Sequence, residues 1–82
     1  MTARTNQKQI YQEACVNAWM TLYDHRSEAE RRIMVRQATF NVGGRLSLQG
    51  LKDWFAMIQD AQKREGLPVS AVPDMEPEKV AP

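Results

Sequence analysis

One cysteine and one histidine are the side chains of this sequence best suited to nucleophilic or acid–base chemistry. A Cys–His dyad needs the two side chains within hydrogen-bond distance. Cys15 lies in a predicted helix, and His25 follows ten residues later in a break after it. A helix rises about 1.5 Å per residue, which separates the two groups by roughly two to three turns. We therefore expect Cys15 to be a small core residue and His25 to be an exposed junction residue.

The sequence also lacks the residues that other common kinds of active site require. Zinc and iron–sulfur centres need several Cys or His ligands at set spacings, and this chain has one of each. Gly43-Gly44-Arg45 has the glycines of a phosphate-binding loop, but no strand pattern precedes it and no Lys-Ser or Lys-Thr follows. The sequence therefore predicts no catalytic, cofactor-binding or metal-binding residues, and we expect the protein not to be an enzyme.

Basic residues in the middle of the chain make nucleic-acid binding an alternative. Residues 24–45 contain five arginines and three acids, a local charge of +2, whereas the whole chain is +1. A helix, a glycine turn and a second helix would fit a small helix-turn-helix DNA-binding regulator. Its predicted contacts are Arg31, Arg32, Arg36, Arg45, Gln49 and Lys52. The turn at residues 41–46 is long for that motif, and a near-neutral domain attracts phosphates weakly.

The stretch Ser47–Gly66 is the clearest helix, and the other elements must give it a surface to pack on. Leu48, Leu51, Phe55 and Ile58 recur on one helical face, widened by Trp54 and Ala61. Ser47 is the predicted N-cap, and Gly66 and Pro68 end the helix. The opposite face is predicted to consist of Gln49, Lys52, Asp53, Gln59, Asp60 and Lys63.

The first helix, predicted from about Thr5 to Tyr23 with Thr5 or Asn6 as cap, is apolar on two sides. One stripe consists of Ile10, Ala14, Ala18 and Leu22, with Tyr11 and Cys15 beside it. A second face contains Val16, Trp19, Met20 and Tyr23. Either this helix is central, with a neighbour on each side, or the second face binds another protein chain. In a symmetric dimer, Trp19 and Met20 would lie near the axis.

The second helix should begin at a capping box formed by Ser27 and Glu30 and run to about Phe40. Its predicted core face is Ala29, Ile33 and Phe40, with Met34 and Val35 outside that line. Glu28 and Arg32 are spaced as an i,i+4 ion pair. The adjacent glycines at 43 and 44 predict a turn before the third helix.

Residues 67–82 have a different character from the helical part of the chain. They contain four prolines and a net charge of −2, from three acids and one lysine. We expect an extended, mostly disordered tail that adds little to the stability of the helices. The sequence therefore predicts an all-α, small three-helix bundle over residues 1–66 and an acidic, Pro-containing tail over residues 67–82.

Size and composition favour association with another protein. A domain of about 65 ordered residues, with a single cysteine in the chain and no metal site, is near the limit for independent folding. Two tryptophans and five methionines, counting Met1, suit adaptable apolar contacts. We expect a protein-interaction module that forms a homodimer and regulates or inhibits a larger partner, as small proteins of phages and mobile elements often do. No signal peptide or membrane span is expected, and the expected location is cytoplasmic.

Overall fold

A computed structural model describes residues 7–73 of the chain. It contains three helices: α1 (Gln7–Tyr23), α2 (Glu28–Phe40) and α3 (Leu48–Arg64). No strand occurs within this range. The predicted all-α three-helix fold is confirmed. The predicted caps Thr5 and Asn6, and residues 74–82 of the predicted tail, lie outside the described residues.

The core forms where α1 packs along α3. Leu51, Phe55 and Ile58 of α3 are at most 2% exposed, which confirms the predicted phase of this helix. Opposite them, Tyr11 meets Phe55 edge to face, with ring centroids 5.9 Å apart. The Cys15 thiol, also fully buried, donates a hydrogen bond to the Leu51 carbonyl at 3.4 Å. The apolar stripes predicted for α1 and α3 therefore do pack together.

α1 lies between the other two helices, and α2 packs on its second side. The indole Nε1 of Trp19 donates to the Met34 carbonyl at 3.0 Å. Below it, Arg31 Nε donates to the Tyr23 carbonyl at 3.2 Å, and the guanidinium lies 5.1 Å from the Tyr23 ring centre. The second apolar face of α1 is thus partly covered by this protein's own α2.

Local sequence signals set the ends of the helices. Ser27 and Glu30 form the predicted capping box at the start of α2, and the Ser47 hydroxyl accepts from the Gly50 N–H at the start of α3. Between these helices the chain makes a wide turn over Asn41–Arg45, where Gly43 and Gly44 leave helical geometry. Gly44 has a φ of 93°, which is unfavourable for residues with a Cβ. The predicted glycine turn is confirmed.

The predicted core face of α2 is wrong. Ile33 and Phe40 are 62% and 57% exposed, and Ala29 is also exposed, whereas Met34 is only 8% exposed. The rotation of α2 about its axis follows from its contacts with α1, because the Trp19 bond to Met34 turns that side inward. The apolar periodicity identified a real stripe, but the stripe of Ala29, Ile33 and Phe40 faces outward. We call it the outer α2 stripe.

Residues 67–73 return along the bundle without forming a helix. Gly66, with a φ of 71°, reverses the chain, and Leu67 packs against the core. Ser70 then hydrogen bonds to Gln62, and its carbonyl accepts from Gln59 at 2.9 Å. Gln59 is therefore half-buried and belongs to this contact, which corrects its prediction as part of the exposed face of α3. The segment just after α3 is held in place by polar bonds.

Candidate functional site

An open groove lies between α2 and α3, because each packs on α1 while the two hardly approach one another. Trp19 of α1 and Trp54 of α3 form its floor. Ile33, Met34 and Gln37 line it on the α2 side, and Met57 lines it on the α3 side. We call this surface the α2–α3 groove. Five of its six lining side chains are apolar or aromatic, which is typical of sites that bind apolar groups.

The two tryptophans make the floor of the groove a firm surface. Their ring centroids are 5.1 Å apart and their planes are inclined at 64°, close to an edge-to-face arrangement. Trp54 is 5% exposed. Because the Trp19 N–H is already bonded to the Met34 carbonyl, that ring offers a bound molecule mainly hydrocarbon contacts. The floor is thus ordered before any ligand arrives.

The upper edges of the groove are apolar and exposed. Ile33 and Met57 are each 62% exposed, on opposite sides. Burial of a large aliphatic side chain contributes about 1.5–3 kcal/mol, so covering both would contribute substantially to binding. Methionine also adapts its shape to different partners. A groove of this kind suits the apolar side of a helix.

The groove continues past Met57 to a charged end formed by Arg26, Asp60 and Arg64. Arg26 makes two hydrogen bonds to the Glu65 carboxylate, at 2.9 and 2.6 Å. These bonds raise the pKa of Arg26 and lower the pKa of Glu65. The pair is solvent-accessible, so it orients the α1–α2 junction against α3 more than it stabilises the fold. Both signs of charge are present at this end.

The structure separates the four predicted interface residues of α1. Trp19 and Tyr23 pack against the core, and Trp19 also forms part of the groove floor. Val16 is half-buried beside Val42, on another side of α1. Met20 is 47% exposed and lines neither part of the groove. The four residues therefore do not form one continuous exposed patch.

The six residues of the nucleic-acid alternative also fall into two groups. Arg31, Arg32 and Arg36 line a shallow depression on the outer side of α2. Arg45 lies 5.4 Å from the centre of the Phe40 ring, which borders the same depression. Gln49 and Lys52 lie on α3 and do not line it. Gln49 donates a hydrogen bond to the Asp53 carboxylate, one helical turn later, at 3.0 Å. A negative charge therefore lies beside the predicted contacts at the start of α3.

Cys15 and His25 are placed as their sequence context predicts. Cys15 is fully buried, and burial raises the pKa of its thiol to about 11. His25 is exposed at the end of α1, where its backbone N–H bonds to the Leu22 carbonyl at 2.9 Å. Within residues 7–73, no three His, Cys, Asp or Glu side chains lie close enough together to hold a metal ion. None of the helices in this range is long and apolar enough to span a bilayer.

We expect Cys15 to resist thiol reagents in the folded protein. With a pKa of about 11, only about one thiol in a thousand is ionised at pH 8, and none of its surface is accessible. A disulfide reagent such as DTNB should therefore react with it only as the protein unfolds. The same protein in 6 M guanidinium is the control. A labelling rate at pH 8 without denaturant that is as fast as in guanidinium would contradict this burial.

Comparisons of the chain with protein-family models, with curated proteins and with solved structures find no match. The candidate site therefore depends on the geometry of this chain alone. Sequence reasoning missed the groove because it assigned Ile33 to the core and gave Met57 no role. Two features of the sequence could have indicated the groove. One is Met57, which lies outside the packing face of α3, and the other is a second apolar stripe on α2 with no packing partner.

Proposed function

We propose that this protein is a small, non-enzymatic protein-interaction module that binds a helix of a partner through the α2–α3 groove. The observation that carries the proposal is the exposed pair Ile33 and Met57 above a floor of two tryptophans. Tryptophan is among the residues that contribute most to binding at protein interfaces, and a rim of exposed apolar groups excludes water around it. A partner helix would place apolar side chains at i, i+3 or i+4, and i+7 along the groove.

The groove also favours a particular kind of partner. Its walls are apolar except for Gln37, while Arg26, Asp60 and Arg64 lie at one end. An amphipathic helix with charges of both signs near one end would match this distribution. Such a chain acts by covering a surface of a larger protein, so we propose a regulatory or inhibitory role in the cytoplasm. The single cysteine is compatible with a reducing compartment.

Replacing Met57 with Glu tests this function. The tagged full-length protein is used to capture partners from an extract of its native host, and a captured protein is then purified and titrated against both forms. We expect Met57→Glu to weaken binding at least tenfold, because the carboxylate would be desolvated against an apolar surface. Met57 is 62% exposed, so the substitution should leave helix content unchanged by circular dichroism.

Ala56→Glu is the matched control for this experiment. Ala56 is the neighbouring residue on α3, it is also exposed, and it does not line the groove. The same charge is therefore added about 100° away around the helix. We expect wild-type affinity for this variant. Equal losses for Met57→Glu and Ala56→Glu, or no loss for either, would show that the groove does not bind the partner.

Nucleic-acid binding is a second candidate, supported by the distribution of charge. Residues 31–52 contain five Lys or Arg and no Asp or Glu. Phe40, which is 57% exposed beside Arg45, could stack on a base. A fluorescence titration with mixed-sequence DNA and RNA at low salt tests this, with Arg36→Glu compared with Lys63→Glu. Tight binding that weakens steeply with salt, and that is lost in Arg36→Glu but kept in Lys63→Glu, would favour this function over the first.

A further inference from the structure

We propose that the shallow depression on the outer side of α2 binds single-stranded nucleic acid. This inference rests on the second candidate function above, because it names the class of nucleic acid and the side chains that hold it. We call this surface the arginine depression, and the lining residues used below are Tyr23, Arg31, Arg32, Arg36 and Phe40. It shares no lining residue with the α2–α3 groove, so the two proposed functions use separate surfaces.

Arg31, near the start of α2, is held in place before any ligand binds. Its Nε donates to the Tyr23 carbonyl at 3.2 Å, and its guanidinium lies 5.1 Å from the Tyr23 ring centre. Both terminal nitrogens of this guanidinium are without a hydrogen-bond partner among residues 7–73. An arginine with two free terminal nitrogens offers paired N–H donors to the oxygens of a phosphate. Arg31 therefore presents ordered donors, which reduces the entropy lost when a phosphate binds.

The other charges in the depression leave it positive. Arg36 makes no hydrogen bond or ion pair with any of residues 7–73. Arg32 pairs with Glu28 at 3.6 Å, but the two side chains are 71% and 84% exposed, and such surface pairs are weak. Glu28 is the one acid among the described lining residues, against three arginines. Glu30 is bonded to Ser27 in the capping box and does not line the depression.

The far end of the depression contains an exposed aromatic ring. Phe40, the last residue of α2, is 57% exposed. Arg45 lies 5.4 Å from its ring centre and adds a fourth arginine beside the depression. Proteins hold single strands by stacking bases on aromatic rings while basic side chains contact the backbone. Bases inside a duplex are already paired and stacked on their neighbours, so an exposed ring favours an unpaired strand.

The spacing of these side chains along α2 suits a short strand. Arg32, Arg36 and Phe40 follow one another at intervals of four residues, about one helical turn. The whole helix has 13 residues and is therefore about 20 Å long. A single strand carries a phosphate and a base in every nucleotide, so phosphates on the arginines place the next base near the ring. We expect about three phosphates to be neutralised, one by each arginine of the depression.

Fluorescence anisotropy of the full chain with a short labelled oligo(dT) tests the class of nucleic acid. A tenfold rise in salt should weaken binding about a hundredfold, because single strands give a slope of roughly −0.7 per neutralised phosphate. A duplex of the same length should bind at least about tenfold more weakly, since it offers no base to Phe40. Oligo(U) is titrated in parallel, and the strand that binds more tightly identifies DNA or RNA as the ligand.

Two variants separate stacking on the ring from attraction to the phosphates. Phe40→Ala should weaken oligo(dT) binding at least about fivefold and leave the salt slope unchanged, because it removes a stacked base and no charge. Arg36→Gln should weaken binding and reduce the slope by about 0.7, the contribution of one phosphate. Their matched controls are Ile33→Ala and Lys63→Gln, at exposed positions outside the depression. Both controls should bind like the wild type, and circular dichroism should show equal helix content in all four.

The outcomes distinguish this inference from the functions proposed above. A duplex that binds as tightly as the single strand, or a Phe40→Ala protein with wild-type affinity, would overturn the single-strand site. Inorganic polyphosphate that binds as tightly as oligo(dT) would show that charge alone is recognised, and would overturn it as well. In these cases nucleic-acid binding itself would stand if the duplex still bound through Arg36. No binding of any strand at low salt and about 100 μM protein would overturn both.

The groove function is tested independently of the arginine depression. Met57 does not line the depression, so Met57→Glu should bind oligo(dT) within about twofold of the wild type, a difference that reflects only the added charge. A loss of oligo(dT) binding in Met57→Glu as large as that in Arg36→Gln would overturn the assignment of the strand to the outer side of α2.

Discussion

Phe55→Ala is expected to lower the free energy of unfolding by about 3–5 kcal/mol. Phe55 is 2% exposed and meets the Tyr11 ring at a centroid distance of 5.9 Å, so its removal leaves a cavity between α1 and α3. This is the contact that holds the bundle together, because α1 packs along α3 for most of its length. In a domain of this size the loss is a large part of the total stability, and the variant should be partly unfolded at 37 °C.

Ile33→Ala is the informative control for Phe55→Ala. The sequence pattern assigns both residues to the core, but Ile33 is 62% exposed in the structure. Its truncation should therefore change the free energy of unfolding by less than about 0.5 kcal/mol. Urea denaturation followed by circular dichroism measures both variants. Similar losses at the two positions would contradict the observed rotation of α2.

Sequence reasoning succeeded wherever the deciding physics was local. Ser27 and Ser47 cap their helices because a hydroxyl reaches backbone N–H groups only two or three residues away. The phase of α3 was predictable because its apolar residues are concentrated on one side, with charged residues opposite. Gly44 was predictable as a turn residue because a positive φ favours glycine. None of these required knowledge of another element.

The rotation of α2 could not be predicted in the same way. Two sets of apolar residues share this helix, Met34 with Ala38 on one side and Ile33 with Phe40 on another. The choice depends on the Trp19 N–H reaching the Met34 carbonyl and on Arg31 covering Tyr23. These are contacts between helices, and no periodicity within α2 contains them. The candidate groove was missed for the same reason, since it exists only where α2 and α3 diverge on α1.

The polar contact after α3 was equally hidden from the sequence. Gln62 has an ordinary surface residue type, yet it is fully buried. Its amide donates to the Thr21 and Ser70 hydroxyls, both at 2.9 Å, and its carbonyl accepts from the Ser70 N–H at 2.8 Å. One side chain thereby joins α1, α3 and the segment that follows. The expectation that residues 67–82 add little to stability is consequently revised for Ser70.

Gln62→Ala should accordingly lower the free energy of unfolding by about 2–4 kcal/mol. The substitution leaves a cavity, and it removes the acceptor of the Ser70 N–H and the donor to the Thr21 and Ser70 hydroxyls. Replacement by Leu restores most of the volume but not the bonds, so Gln62→Leu should recover only part of this loss. The difference between the two variants separates the contribution of packing from that of hydrogen bonding.

A double-mutant cycle with Ser70 decides whether the two residues act together. Deletion of residues 70–82 removes Ser70 and should cost about 1–3 kcal/mol in the wild type, because the buried Gln62 amide loses two of its bonds and Gln59 loses its bond to the Ser70 carbonyl. In the Gln62→Ala background the same deletion should cost less, since the two Gln62 bonds are already absent and only the half-buried Gln59 bond remains to be lost. Val72→Ala serves as the control within the segment, because Val72 is 60% exposed and should change stability little. Fully additive losses in urea denaturation would mean that Gln62 contributes to stability through its contacts with α1 alone. The bonds between Gln62 and Ser70 would then contribute nothing.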